Sequence, residues 1–255
     1  MGKIIAIANQ KGGVGKTTTA INLAAGLAKA GKKTLIIDSD PQGNATSGFG
    51  INKEDPDMYT LYDLIIGNCV IRDCILKDVL KNLSVLPANG SLAATDIDLI
   101  GVEKKEFILK NEVDFIKDEY DYILIDCPPS LNTLVVNAMT TSDTVLVPIQ
   151  CEYYALEGLS QLIYTINLVR ERLNPTLDIE GVVFTMYDAR TNLSQQVIQN
   201  VKENLQQYIF STVIPRNIRL AEAPSFGTPI QEYDPKSIGA KSYKELAREL
   251  IKKNR

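Results

Sequence analysis

A glycine-rich loop near the start of the chain carries residue types that bind phosphate. Residues 8–19 read ANQKGGVGKTTT, and the usual phosphate-binding pattern is G-x-x-x-x-G-K-[ST]. Residues 15–17 fit the end of this pattern, whereas the position of its first glycine is occupied by Gln10. A second lysine, Lys11, precedes the glycine pair. The loop therefore predicts a phosphate site that has one lysine more than the pattern requires.

The backbone and the side chains of this loop have separate roles in a phosphate site. Glycines let backbone N–H groups approach the phosphate oxygens, and the N-terminus of the following helix adds partial positive charge. We expect Lys16 to bridge the β- and γ-phosphates and the Thr17 hydroxyl to ligate Mg²⁺. The residues expected to contact the nucleotide here are Gly12, Gly13, Val14, Gly15, Lys16, Thr17 and Thr18.

Two aspartates near the ends of apolar segments complete the chemistry of such a site. The segment IIDSDPQ places Asp40 in the loop just beyond a predicted strand, and the segment YILID ends at Asp126. In open α/β sheets, ligands bind outside the carboxyl ends of the strands. We expect Asp126 to hold Mg²⁺ through a metal-bound water and Asp40 to position an attacking water.

The elements that must position these residues are short apolar runs alternating with helical patterns. Most of the runs lack polar alternation, which is typical of strands buried on both faces of a parallel sheet. The pattern predicts an α/β fold with a doubly wound, mostly parallel sheet flanked by helices. The predicted strands are 3–8, 34–38, 83–87, 122–126, 144–149, 179–185 and 211–215, and the predicted helices are 16–30, about 104–118, 131–140, 156–173, 193–207 and 237–252.

Composition excludes several other classes of protein. No apolar run reaches the roughly 18 residues that a membrane-spanning helix needs, and the first strand leaves no place for an export signal. The sequence contains no histidine, which excludes histidine-based acid–base chemistry. We therefore expect a cytoplasmic protein with reduced thiols. The four cysteines, which have no CxxC spacing, are Cys69, Cys74, Cys127 and Cys151.

The two parts of the chain carry charges of opposite sign. Residues 181–255 contain eleven basic and seven acidic side chains and therefore have a net charge of +4. The whole chain has a net charge of −4, which leaves −8 for residues 1–180. Such an asymmetry can indicate an anionic partner on one face of a protein.

Several segments of the sequence together resemble one known family. KGGVGKTT, DSDPQGN, LIDCPPS and PRNIRLAEAPSFGTPIQEYDPKSIGAKSY are similar to segments of the ParA/Soj-type chromosome-partitioning ATPases. These belong to the deviant Walker A group of P-loop proteins, with MinD and the nitrogenase iron protein. The resemblance implies an ATPase that uses ATP and Mg²⁺ and has weak intrinsic activity. It also implies that Lys11 reaches across an ATP-dependent homodimer interface to the nucleotide of the other subunit, as a catalytic residue beside Lys16 and Asp40.

The resemblance also assigns contacts to the base and to DNA. Pro215 and Asn217 match a loop that packs on the adenine and hydrogen-bonds it, and Met186 is expected to add an apolar face. Arg190 and Arg219 match basic positions that the family uses for DNA. Weaker candidates for the same surface are Lys202, Lys236 and Lys241.

The position of the phosphate loop bears on how such a protein binds DNA. Larger plasmid-type relatives carry a helix-turn-helix domain before this loop, but here the loop starts at residue 9. We therefore expect one nucleotide-binding domain over residues 1–255. It should bind double-stranded DNA through phosphates, without reading sequence. The resemblance implies that the ATP dimer is nucleoid-associated and that a ParB/Spo0J-type centromere-binding protein stimulates its hydrolysis.

Two other members of the group provide alternative functions. An electron-donating reductase needs paired cysteines to hold an iron–sulfur cluster, and Cys127 has no second cysteine in a suitable glycine-rich context. A MinD-like, membrane-associated ATPase of the cell-division site needs a terminal basic amphipathic helix. Glu245 and Glu249 interrupt the polar face of the last predicted helix, which has no Phe or Trp. We therefore expect no membrane partner and keep the MinD-like function as the alternative.

Overall fold

A seven-stranded sheet runs through the part of the chain that the computed structural model describes, namely residues 2–152, 155–205 and 207–254. The strands are β1 (Lys3–Ile7), β2 (Thr34–Asp38), β3 (Leu76–Leu80), β4 (Leu83–Leu86), β5 (Tyr122–Asp126), β6 (Thr144–Gln150) and β7 (Asp178–Thr185). Their order across the sheet is β3-β4-β2-β5-β1-β6-β7. Every neighbouring pair is parallel except β3 and β4, which are antiparallel. The prediction of a mostly parallel sheet is therefore confirmed.

Both faces of the sheet are buried, and successive side chains of one strand pack into different cores. Along β1, Ile4 and Ala6 belong to one hydrophobic cluster, whereas Ile5 and Ile7 belong to the other. This alternation follows from the two-residue repeat of a strand. It explains why the strand segments read as continuous apolar runs rather than as alternating ones.

Helices cover both faces of the sheet. One cluster joins the sheet to two helices through Leu23, Leu27 and Leu246, and the other joins it to two more through Leu134 and Leu162. The α-helices are α1 (Lys16–Lys29), α2 (Asn44–Gly48), α3 (Leu61–Ile65), α4 (Ile71–Cys74), α5 (Thr95–Asp98), α6 (Ile108–Val113), α7 (Thr133–Thr141), α8 (Ala155–Arg172), α9 (Asn192–Asn204), α10 (Ile218–Glu222), α11 (Ile230–Tyr233) and α12 (Ile238–Lys253). Short 3₁₀ turns lie at Gly90–Ala94, Lys105–Phe107, Lys117–Glu119 and Ala223–Phe226.

One predicted strand, residues 211–215, is not a strand of the sheet, so this prediction is wrong. The backbone N–H groups of Ser211 and Thr212 donate to the Glu249 carboxylate of α12, at 2.6 and 2.9 Å. Pro215 has no N–H group to donate. Only isolated bridges connect this region to β7 and the residues that follow it. An apolar run does not reveal that a distant glutamate will bind its N–H groups.

One strand and two helices also differ from what the sequence predicts. No strand is predicted at β3, because LKDVL places polar residues in the middle of a partly exposed edge strand. The helix predicted over about 104–118 is reduced to α6, because the N–H groups of Phe115 and Ile116 bond to carbonyls three residues back. The helix predicted over 193–207 ends at Asn204 in α9, and residue 206 lies outside the described residues.

Candidate functional site

Strand β1 leads into a loop whose backbone requires glycine at two positions. Gly13 and Gly15 have φ angles of 76° and 85°, in the left-handed region that favours glycine. The Thr185 hydroxyl donates to the carbonyl oxygen of Val14 at 2.8 Å, which ties the loop to the end of β7. Helix α1 follows at once from Lys16, so this sequence folds as the strand, loop and helix that a phosphate site needs.

Lys16 is buried at the start of α1. Its Nζ donates to the carbonyl oxygen of Lys11 at 3.1 Å, and it forms no ion pair with any residue that the structure describes. Burial lowers the pKa of Lys16, while the charges of Asp126, Cys127 and Asp40 act in the opposite direction. A buried cation without a paired carboxylate is suited to an anionic ligand such as a phosphate.

The second lysine of the loop lies outside the cleft that the loop borders. Lys11 Nζ forms an ion pair with Glu152, which lies just beyond β6. The two side chains are 36% and 42% exposed. An ion pair between partly exposed groups contributes at most about 1 kcal/mol. The chain therefore holds the Lys11 side chain only weakly.

Gly12 has no structural need to be glycine within one chain. It is exposed, and its backbone does not occupy the left-handed region that Gly13 occupies. A Cβ atom added at Gly12 would meet no other atom within 4 Å. Nothing in the described part of the chain therefore requires glycine at this position.

Two aspartates at the ends of neighbouring strands lie side by side. Asp38 of β2 and Asp126 of β5 are paired in register, and both are fully buried. Asp38 Oδ2 accepts hydrogen bonds from the backbone N–H and the hydroxyl of Thr46, both at 2.8 Å. Neither carboxylate oxygen of Asp126 has a hydrogen-bond partner of ordinary geometry, although the Thr17 hydroxyl is near enough to favour the ionised form.

Burial is the main influence on the acidity of both aspartates. It raises the pKa of Asp38 from 3.8 to about 6, against the lowering effect of the bonds from Thr46. Burial, followed by the charge of Asp38, raises the pKa of Asp126 well above its ordinary value. The charge of Lys16 offsets only part of this effect, so an ionised Asp126 is costly without a further cation. The pair is therefore suited to a cation that comes with the ligand.

Asp40 lies buried in the loop that follows β2. Its Oδ1 accepts from the N–H of Gln42 at 2.9 Å, and its own N–H donates to Asp38 Oδ1 at 3.2 Å. The Thr46 hydroxyl, besides donating to Asp38, accepts from the N–H of Ala88 at 2.9 Å. These bonds fix the loop that carries Asp40. The sequence analysis does not identify Thr46 as part of the site, because its spacing from the phosphate loop matches no known motif.

The phosphate loop and the loop of Asp40 border one cleft of about 660 Å³. Pro128, Pro129 and Asn132, which follow β5, also line it. Val14 and Asp126, which are 1% and 0% exposed, do not line it. The predicted residues that do line the cleft are Gly12, Gly13, Gly15, Lys16, Thr17, Thr18, Asp40 and Met186.

A smaller pocket of about 340 Å³ adjoins this cleft. Gly15, Thr18 and Met186 line both cavities. Pro215 and Asn217 also line the smaller one, so the structure brings together the three residues expected at the base. Met186 has a φ of 51°, a conformation that costs energy in a residue other than glycine and is found preferentially at functional sites.

The basic candidates for DNA contact are exposed, and two of them are paired with nearby acids. Arg190 donates to both carboxylate oxygens of Asp188, at 2.9 and 2.7 Å. Arg219 forms an ion pair of 2.8 Å with Glu222 and lies 3.7 Å from Asp234. The exposed candidates that form no ion pair with described residues are Lys202, Lys236 and Lys241.

The apolar side of α12 is buried in the fold. Tyr243, Leu246 and Leu250 are at most 1% exposed, and Glu249 on the same helix binds the segment around Ser211. Among the residues that the structure describes, no helix is both long enough and apolar enough to cross a membrane. Helix α12 therefore uses its apolar side chains for packing.

Comparison with known sequences gives matches over nearly the whole chain. A family profile described as an AAA domain matches residues 2–179. The sporulation initiation inhibitor protein Soj of Bacillus subtilis (strain 168) is 55% identical over 250 residues, which cover 98% of this chain and 98% of that protein. The chromosome partitioning protein ParA of Myxococcus xanthus (strain DK1622) is 50% identical over 254 residues, which cover 100% of this chain and 89% of that protein.

Comparison with solved structures gives the same fold. The crystal structure of cobyrinic acid a,c-diamide synthase from Mycobacterium smegmatis, which contains an ATP analog and magnesium, matches with a TM-score of 0.86. It is 32% identical in sequence, and the match covers 99% of this chain and 95% of that chain.

Proposed function

We propose that this chain, which belongs to the ParA/Soj family of chromosome-partitioning ATPases, is an ATP-dependent dimeric switch that binds DNA. The observation that carries the proposal is the placement of the two loop lysines. Lys16 lies inside the phosphate loop without a carboxylate partner, whereas Lys11 lies outside the cleft on a weak ion pair with Glu152. We assign Lys16 to the chain's own nucleotide and Lys11, which is held only by this ion pair, to the nucleotide of a second subunit.

The cofactors are ATP and Mg²⁺, and the buried acids fit the metal. Thr17 and Asp126 would hold it, since Asp126 has two buried oxygens without hydrogen-bond partners. The described residues contain no cluster of three metal-ligating side chains. Mg²⁺ commonly takes its remaining ligands from phosphates and water. When bound, it would neutralise charge on the β- and γ-phosphates.

Hydrolysis is assigned to the residues that border the cleft. Lys16 holds the phosphates and offsets the negative charge that develops on them. Asp40 orients the attacking water, and the bonds among Asp38, Thr46 and the Asp40 backbone keep its loop in place. Positioning of this kind can supply several kcal/mol of the barrier reduction.

The adenine is assigned to the smaller pocket. Met186 and Pro215 provide apolar faces, and Asn217 provides the hydrogen bond. Asn217 Oδ1 already accepts from the N–H of Arg219 at 2.8 Å at the start of α10. Its amide group therefore remains as the donor for a ring nitrogen. Because this pocket shares Gly15, Thr18 and Met186 with the phosphate cleft, one nucleotide can occupy both.

Dimerisation is assigned to the open face of the phosphate loop. Gly12 leaves this face without a side chain, so a second loop can approach closely. Lys11 would then exchange Glu152 for the phosphates of the partner's nucleotide. Its positive charge would act there as an arginine finger acts when supplied in trans. The dimer therefore depends on ATP.

The DNA contact is assigned to the basic residues of the second part of the chain. Arg190, Arg219, Lys202, Lys236 and Lys241 would bind phosphates of double-stranded DNA without reading sequence. Dimerisation doubles the number of contacts, so ATP raises DNA affinity through multivalency. Within the cytoplasm the ATP dimer would be nucleoid-associated, and a ParB/Spo0J-type partner would release it by stimulating hydrolysis. We propose no membrane partner, because the apolar side of α12 is buried.

ATPase measurements test the switch as a whole. Turnover of the purified protein should be slow alone and should rise when DNA and the basic N-terminal peptide of a ParB-type protein are both present. The matched control is Lys16→Ala, which should show no stimulation under any condition. Turnover that is independent of DNA and peptide would contradict the proposal.

A further inference from the structure

Two cysteines far along the chain from the phosphate loop lie in contact. Cys69 Sγ and Cys74 Sγ are 3.0 Å apart. Cys69 lies between α3 and α4, and Cys74 is the last residue of α4. We propose that Cys69 and Cys74 are a redox modification site, which a small-molecule disulfide such as oxidised glutathione converts to an intramolecular disulfide.

The two sulfur atoms need to move only a short distance to form this bond. A disulfide joins sulfurs about 2.05 Å apart, so the two thiols need to move about 1 Å closer. The segment that carries them is held on the fold by polar contacts. Ile71 N–H donates to Glu112 at 3.2 Å, and Arg72 pairs with Glu119 at 2.5 Å. The pair is therefore preorganised by the folded chain.

The two thiols differ in exposure, which sets the order of attack. Cys69 is half-buried and Cys74 is buried, within the same hydrophobic cluster as Ile71. Cys69 is thus the thiol that meets the oxidant, and Cys74 is the resolving thiol. Burial raises the pKa of both groups, and the charges of Asp63 and Asp73 act in the same direction. Reaction should be slow, so the test is made at equilibrium.

The reaction balances without any further reagent. The Cys69 thiolate attacks one sulfur of oxidised glutathione, forms a mixed disulfide and expels one glutathione thiolate. The Cys74 thiolate then attacks Cys69 Sγ, forms the intramolecular bond and expels the second glutathione. The two cysteine protons end on the two glutathione thiols. The protein loses two electrons and two protons, and the oxidant gains them.

The nucleotide cleft does not include the segment that carries Cys69 and Cys74. None of its lining residues belongs to the segment from α3 to α4. Cys127 and Cys151 are buried without a described thiol neighbour, and Cys151 provides a control. The modification is therefore specific to one pair of the four cysteines.

The experiment follows the full-length protein in oxidised glutathione by intact mass and peptide mapping. The wild type should lose the mass of two hydrogens, with a linked peptide pair containing Cys69 and Cys74, and dithiothreitol should reverse this. Cys151→Ser should behave in the same way. Cys74→Ser should stop at the mixed disulfide, with one glutathione on Cys69. Cys69→Ser should gain neither modification, because Cys74 is buried.

Thermal unfolding gives a second measurement that does not depend on the variants. A bond that closes such a short loop should raise Tm by about 2–8 °C. Four free thiols at equilibrium with excess oxidised glutathione would overturn the proposal. So would an intramolecular bond that still forms in Cys74→Ser, or a disulfide that joins two chains.

Discussion

Replacement of Asp126 by asparagine should stabilise the nucleotide-free protein while removing its activity. Asp126 is fully buried beside Asp38, and its oxygens make no hydrogen bond of ordinary geometry. Asparagine has nearly the same shape and carries no charge. The substitution therefore removes the cost of a buried carboxylate and its repulsion by Asp38, which outweigh the favourable effects of the Thr17 hydroxyl and the Lys16 charge on the carboxylate. It also removes the group assigned to Mg²⁺, so hydrolysis should be lost.

The cost of a buried carboxylate in this pair is illustrated by Asp38. Burial raises the pKa of Asp38 from 3.8 to about 6, and this difference corresponds to about 3 kcal/mol at neutral pH. The pKa of Asp126 is raised in the same direction, by burial and then by Asp38. We therefore expect Asp126→Asn to raise the free energy of unfolding at pH 8, which moves the urea midpoint to a higher concentration.

The raised pKa values of Asp38 and Asp126 also make the free energy of unfolding depend on pH. Because the folded protein binds these protons more tightly than the unfolded chain does, its free energy of unfolding should rise as pH falls from 8 through about 6. Asp126→Asn should flatten this dependence, since the variant lacks one of the two buried carboxyl groups. The difference in free energy of unfolding between Asp126→Asn and the wild type should therefore become smaller towards pH 5.

Urea unfolding at several pH values, followed by circular dichroism, measures both effects. The matched control is Glu103→Gln, which removes an exposed carboxylate and should change stability by less than about 0.5 kcal/mol. Lower stability of Asp126→Asn than of the wild type at pH 8 would refute the reasoning. A wild-type stability that rises between pH 5 and pH 8 would refute it as well.

The remaining predictions concern the phosphate loop and the loop of Asp40. Lys16→Ala should lose tight ATP binding in a fluorescent-nucleotide titration, whereas Lys11→Ala should bind ATP but stay monomeric in light scattering; a normal ATP dimer of Lys11→Ala would exclude a role across the interface. Gly12→Val should fold with nearly unchanged stability and bind ATP, because a Cβ atom at this exposed position meets no other atom within 4 Å, yet it should not dimerise. Asp40→Ala should bind ATP and dimerise but hydrolyse it slower by orders of magnitude; near-normal turnover would assign the water to another residue.

Most of the fold can be predicted from the sequence because the strands are buried on both faces. All strands of the sheet except β3 appear as apolar runs close to their observed bounds, including those that carry Asp38 and Asp126. The exceptions depend on tertiary contacts. Residues 211–215 are apolar enough for a strand, but Glu249 binds the N–H groups of Ser211 and Thr212. Strand β3 forms at the sheet edge although its sequence contains Lys77 and Asp78.

The site can be predicted in part, because a phosphate loop is a local feature. Residues 12–18 form one continuous segment, and glycine at positions 13 and 15 follows from their left-handed backbone. The pairing of Asp38 with Asp126 depends on strand order, which places β2 beside β5. The contact of Lys11 with Glu152 joins residues far apart in the chain. Such contacts have no signature in a single sequence.

DNA binding in the two nucleotide states tests the central claim most directly. Fluorescence anisotropy with random duplex DNA should show tight binding with Mg²⁺ and ATP, weak binding with ADP, and a steep loss of affinity with salt. Arg219→Ala and Arg190→Ala should weaken binding equally for all sequences and leave the ATP dimer intact. Each substitution should also reduce the magnitude of the salt slope by about one, because one arginine no longer neutralises a phosphate. Equal affinity with ATP and ADP, or binding to liposomes in place of DNA, would contradict the account.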